Sequence, residues 1–142
     1  VIIAHRFILA FASLVIAIVF GSALVHLSAM LMVYATLALQ DEPIALNPGI
    51  LAGALWVGAM QGVGVLPAAF PLGGAAHIGL IYARRSGLVV HAGAGLLIAG
   101  ITSTIFGFVY GFTFTTTFVV MTIAAGLLGG ALFWLGRRPD RD

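Results

Sequence analysis

Three long apolar stretches make up almost the whole chain. Residues 7–40, 44–83 and 86–136 contain no Asp, Glu, Lys or Arg, and every charged side chain falls in the short gaps beside them. A bilayer core of about 30 Å needs about 20 helical residues to cross it. The three stretches therefore predict one, one and two crossings. The expected fold is all-α: one transmembrane domain over residues 1–142, with helices at about 7–39, 48–83, 86–106 and 115–136. The first two are longer than a crossing requires, so they must tilt, kink or project. An Arg6-led apolar run might have announced a cleaved signal peptide, but apolarity sustained to Leu39 favours a retained helix.

The breaks between helices have their own chemistry. Gln40-Asp41-Glu42-Pro43 ends the first helix. Asn47-Pro48-Gly49 restarts the second, Asn as N-cap and Pro at the first helical position, where its missing N–H is harmless. Pro67 and Pro71 lie inside the second helix and each removes a backbone donor, which predicts a bend. Arg84-Arg85 make a tight turn, with Ser86 as the expected cap of the third helix. Phe106, Phe108, Tyr110, Phe112 and Phe114 then alternate with other residues, and that period of two predicts an extended segment at the membrane interface.

Composition strengthens the membrane reading. Of 142 residues, 62% are hydrophobic and 7% charged, against about 25% charged in an ordinary soluble domain. So few charges cannot cover a folded surface in water. Arg6, Arg84, Arg85, Arg137, Arg138 and Arg141 fall on one side of a four-crossing arrangement, and Asp41 and Glu42 on the other. The positive-inside rule then places both termini in the cytoplasm, N-in and C-in. The net charge of +2 carries no nucleic-acid signal, and the absence of cysteine excludes disulfides and thiolate chemistry.

Small residues recur at four-residue spacing: Ala54, Gly58 and Gly62; Gly95 and Ala99; Gly126 and Gly130. Such spacing lets helices in lipid approach backbone to backbone. The contacts would lie within the chain or with other membrane subunits, and Ala125 and Gly129 widen the small face of the last helix toward the second possibility. His77 and His91 flank the Arg84-Arg85 turn at matched distances, which puts both imidazoles about 10 Å from it. Two imidazoles at one depth among glycines are candidates to ligate haem iron or to bind a quinone or chlorin. Ordinary hydrogen bonds to each other, to a backbone carbonyl or to water are the favoured expectation for both. His26 lies near the opposite boundary. Thr102, Ser103 and Thr104 are expected to return hydrogen bonds to their own helix. No intramembrane carboxylate, nucleophile with a base, phosphate-cradling loop or metal-ligand cluster is visible, which argues against an enzyme or pump acting alone.

The segment FPLGGAAHIGLIYARRSGLVVHAGAGLLIAG resembles, in its spacing from Pro to Arg-Ser and the glycine-rich helix that follows, a group of small four-helix inner-membrane proteins of alphaproteobacteria. AAGLLGGALFWLGRRPD resembles their last helix. Leu80 stands where those proteins often carry an acidic residue. The group has no assigned activity, so the resemblance implies a topology and a bacterial inner-membrane location, and it transfers no functional residue.

The expectation is an accessory, non-catalytic subunit of a larger respiratory or photosynthetic membrane complex. It would meet lipid and other integral subunits through its small-residue grooves and projecting helix ends. The alternatives are an anchor binding haem b or quinone through His77 and His91, and a small oligomeric channel or carrier. Topology is directly testable. Reporter fusions after Arg85 and Asp142 should read as cytoplasmic and those after Glu42 and Tyr110 as periplasmic; a periplasmic Arg84-Arg85 turn would overturn the four-crossing arrangement.

Overall fold

The computed structural model describes residues 2–40, 45–111 and 115–137, with side chains from residue 8 onward. Its four helices are α1 (Ile2–Ala38), α2 (Pro48–Tyr82), α3 (Leu88–Tyr110) and α4 (Thr116–Arg137). Each is long and apolar enough to cross a membrane. Apolar side chains cover the outside, including Phe20, Met32, Trp56, Val89, Leu97 and Phe108, as expected where lipid rather than water is the solvent. At 1.5 Å per residue α1 and α2 extend for more than about 50 Å and α3 and α4 for about 35 Å. The two longer helices therefore reach past their partners.

The local signals explain most helix ends. Asn47 is extended, and its side chain accepts from the Gly49 N–H at 2.8 Å, so it caps α2 with Pro48 just inside. At the other end Arg84 adopts the left-handed conformation (φ 53°). The Arg85 N–H donates to Leu80 O and the Arg84 N–H to Ile81 O, the paired closure of a Schellman motif. This turn folds α3 back beside α2. The cap of α3 is Gly87, which contributes no side-chain hydrogen bond, and not Ser86. The Ser86 carbonyl serves elsewhere: it accepts from the Trp134 indole N–H at 2.6 Å, tying the turn to the end of α4. α2 is helical without interruption through Pro67 and Pro71. Phe70 and Phe11 meet edge to face there, with ring centres 4.6 Å apart.

One expected segment differs. The chain from Phe106 to Tyr110 is helical and not extended, and α3 ends only at Gly111 in the left-handed conformation (φ 67°). Phe106 and Tyr110 are one turn apart, and their rings meet at a tilt with centres 5.2 Å apart. An i,i+4 aromatic pair satisfies both periodicities, so helix propagation wins where Gly111 is the first residue to break it. Residues 112–114 lie outside the described residues. α1 also starts earlier than expected, at Ile2, because neither His5 nor Arg6 stops a helix.

Packing follows the small residues. α1 packs on α2, α3 on α4, and α1 on α4, whereas α2 and α3 make the slightest contact of the four neighbouring pairs. Gly58 lies on Ala23 and Ser22, and Gly62 on Val19 and Ile18. Gly95, Gly126 and Gly130 bring α3 and α4 together so closely that a Cβ on Gly130 would sit 2.8 Å from Ala92 Cα and closer still to His91 O. The second small face of α4 is also taken within the chain: a Cβ on Gly21 of α1 would meet Gly129 Cα at 3.4 Å. Close approach of this kind is the main source of helix cohesion in lipid.

The glycines therefore fall into two classes with opposite expected responses. Gly130→Ala should destabilise by about 1–3 kcal/mol, since the clash is with backbone that cannot rotate away. Gly100→Ala, where a Cβ would meet nothing within 4 Å, should be neutral or stabilising by up to about 1 kcal/mol through helix propensity. Thermal unfolding in one detergent measures both, and equal responses would refute the assignment of the groove.

Candidate functional site

The slight contact between α2 and α3 leaves a half-open cavity of about 630 Å³ between the helices, lined from all four of them. That volume falls in the range of small-molecule sites. Its walls are mostly Ala, Gly, Leu, Ile and aromatic side chains, and among the described residues no Asp, Glu, Lys or Arg lines it. His77 and His91 line one part of it; Thr102, Ser103 and Thr122 line another; His26 and Gln61 also contribute.

The turn arithmetic brings His77 and His91 together, with ring centres 6.3 Å apart. His91 is almost wholly buried, at 4% exposure. Its Nδ1 lies 3.2 Å from Gly87 O. A carbonyl only accepts, so Nδ1 carries a proton, and in the neutral imidazole Nε2 presents a lone pair. That Nε2 is buried without a partner among the described residues, as is Nδ1 of His77. Two orphaned ring nitrogens on neighbouring helices make an incomplete polar site, and such groups are uncommon in folded interiors. His26, by contrast, is satisfied within its own helix, donating from Nδ1 to Ser22 O at 2.9 Å.

Phe133 completes this end of the cavity. Its ring meets His77 edge to face at 5.0 Å and lies nearly parallel to His91 at 6.0 Å. With the imidazoles only 6.3 Å apart, the benzyl ring lies beside the midpoint between them. A macrocycle ligated by both histidines would have its plane through that point. His91 Nε2 has the lone pair that haem iron or a chlorin metal needs, but the space is taken by Phe133. The residues do not fit a bis-histidine macrocycle. They do fit a single oxygen: a hydroxyl can donate to His91 Nε2 and accept from a protonated His77 Nδ1 after Phe133 rotates aside. The glycines around the pair divide in the same way. Gly74, Gly79 and Gly93 face open space, but Gly73 meets Leu14 and Gly95 is consumed by α4.

Two further residues were not expected at the cavity from the sequence: Phe133 was not singled out, and Thr102 was given another role. Phe133 lies four positions inside Arg137, as His91 lies six beyond Arg85, so the same depth argument could have placed it at the histidines. Thr102 was expected to bond back to its own helix, but among the described residues its Oγ1 is buried without a partner. Of its neighbours, Thr104 does bond back, donating to Gly100 O at 2.8 Å, and Ser103 Oγ pairs with Thr122 Oγ1 at 3.2 Å. No group of three or more metal-ligating side chains occurs among the described residues.

No protein family, curated protein or solved structure matches the chain. The roles of these residues must therefore be argued from their own geometry. The blocking position of Phe133 has a spectroscopic consequence: the purified protein should show no Soret band, alone or after haem is added. A bis-histidine spectrum that disappears in the His77→Gln/His91→Gln double variant would contradict this.

Proposed function

We propose that this chain is an accessory, non-catalytic integral membrane subunit of a bacterial inner-membrane complex, and that its cavity holds a lipid-soluble molecule by an oxygen-bearing head group. The head group is of the quinol or lipid-alcohol class. The observation that carries the proposal is the buried Nε2 of His91, an acceptor without a partner among the described residues, in the wall of an apolar cavity. A hydroxyl on an apolar body satisfies both conditions: it supplies the proton, and its hydrocarbon fills space that water would occupy poorly. An aromatic head group also has Phe133 to lie against.

The subunit part of the proposal draws on α1 and α2. Both outreach α3 and α4, and their far portions expose Met32, Val33 and Trp56. A neighbouring membrane protein would cover that surface. The five packing glycines are already engaged within the chain, so such a neighbour would meet the outer helix faces instead. A channel or carrier draws less support, because ion and proton paths generally contain charged side chains within the span and the cavity lining contains none.

The test is chemical. Full-length protein purified in mild detergent should release an oxygenated lipid or quinone on solvent extraction, identified by mass spectrometry. His91→Leu, which keeps the bulk and removes the acceptor, should lower its recovery roughly five- to tenfold, as the loss of one buried hydrogen bond implies. Identical lipid content in the two proteins would remove the histidine from the binding role. Co-purifying membrane proteins in the same preparation test the subunit reading separately.

A further inference from the structure

The cavity contains a second orphaned polar group, and its placement relative to the histidines narrows the ligand. Thr102 is 4% exposed, and its Oγ1 has no partner among the described residues. A helical threonine usually resolves this by donating to the carbonyl four residues back. Thr36 does so to Met32 O at 2.9 Å and Thr104 to Gly100 O at 2.8 Å. Thr102 does not. The adjacent Ser103 and Thr122 hydroxyls are bonded to each other, so they do not complete it.

Thr102 is eleven residues beyond His91 on α3. Eleven residues make just over three full turns, about 3.1, and rise about 16 Å, so both side chains stand on one face of the helix. Gly95, Ile98 and Ala99, which lie between them, line the same cavity. The wall thus holds an acceptor at one station and a hydroxyl at the other, each reached by a ligand only after a side chain turns, with an apolar stretch between.

We infer that Thr102 is a second binding station and that the ligand is an elongated apolar molecule oxygenated at both ends, long enough to span about three helical turns. This rests on the reading of the cavity as a lipid site. One oxygen sits between His77 and His91; the other pairs with the Thr102 hydroxyl. A quinol with a purely hydrocarbon tail satisfies the first station and leaves the second unmet.

A pair of probes separates the two readings: a long-chain α,ω-diol of matching span and the primary alcohol of equal length. Each is titrated into the detergent-solubilised full chain and scored by native mass spectrometry. Wild type should prefer the diol by roughly five- to tenfold, the contribution of one hydrogen bond. Thr102→Val, nearly isosteric, should abolish the preference while leaving alcohol binding unchanged, and Thr102→Ser should restore it. Equal binding of the two probes by wild type, or equal weakening of both by Thr102→Val, would overturn the second station and leave the lipid site standing. Binding of neither probe would sink the lipid site itself.

Discussion

Backbone contact between α3 and α4 governs the shape of this bundle. Gly95, Gly126 and Gly130 clear the crossing of all but the Ala99 methyl, so main-chain atoms of the two helices come into contact. α4 can then use its other small face, Ala125 and Gly129, against α1, while α1 uses the strip through Ala23 against Gly58 and Gly62 of α2. In lipid there is no hydrophobic force to squeeze helices together, and association depends on how closely they can approach. Three crossings are provided for in this way. The fourth is not: Gly64, Gly74 and Gly79 on α2 and Gly93 and Gly100 on α3 have nothing within 4 Å of where a Cβ would lie. The cavity is therefore a consequence of where tight packing was spent, and not of an isolated defect.

Much of this was legible in the sequence because the signals are local or arithmetic. Asn47-Pro48 fixes the start of α2 by capping chemistry alone. The spacing of His77 and His91 from the Arg84-Arg85 turn needs only the helix rise to put them side by side. The four-residue glycine spacing identified the tight faces, though not which helix each would meet. Periodicity failed at Phe106–Tyr110, where alternation and i,i+4 stacking share the same residues and the helix has the advantage of continuing an existing nucleus. It also failed at Thr102, whose hydroxyl direction depends on a rotamer that composition cannot reveal. Phe133 was overlooked for a similar reason: an aromatic in an apolar helix carries no signal until its neighbours are known.

The two histidines show how a single packing residue changes a chemical reading. At matched depth among glycines, they suited a macrocycle and a small head group equally well. The distances decide between them. Two rings 6.3 Å apart could bracket a metal, but Phe133 at 5.0 and 6.0 Å occupies the plane a macrocycle would need. A hydroxyl requires only that Phe133 turn about its own side-chain bonds, whereas a macrocycle requires that α4 withdraw. Withdrawal is opposed by the Gly130 contact one turn away and by the Trp134 hydrogen bond to Ser86 beside it.

That opposition links the groove to the site. Gly130 lies against His91 O and Ala92, so the same contact that holds α4 to α3 fixes the backbone from which His91 projects. The Gly87 carbonyl, four residues earlier, fixes its tautomer. The turn that supplies Gly87 is in turn held to α4 through Trp134. Position, protonation and cover of the imidazole thus depend on one short stretch of α4 from Gly130 to Trp134. A substitution at Gly130 would act on the histidine as well as on the fold, and loss of binding in such a variant would say nothing about His91 chemistry. Changes at His91 and Thr102 themselves, which alter polarity with little change in bulk, are the ones that isolate chemistry from packing.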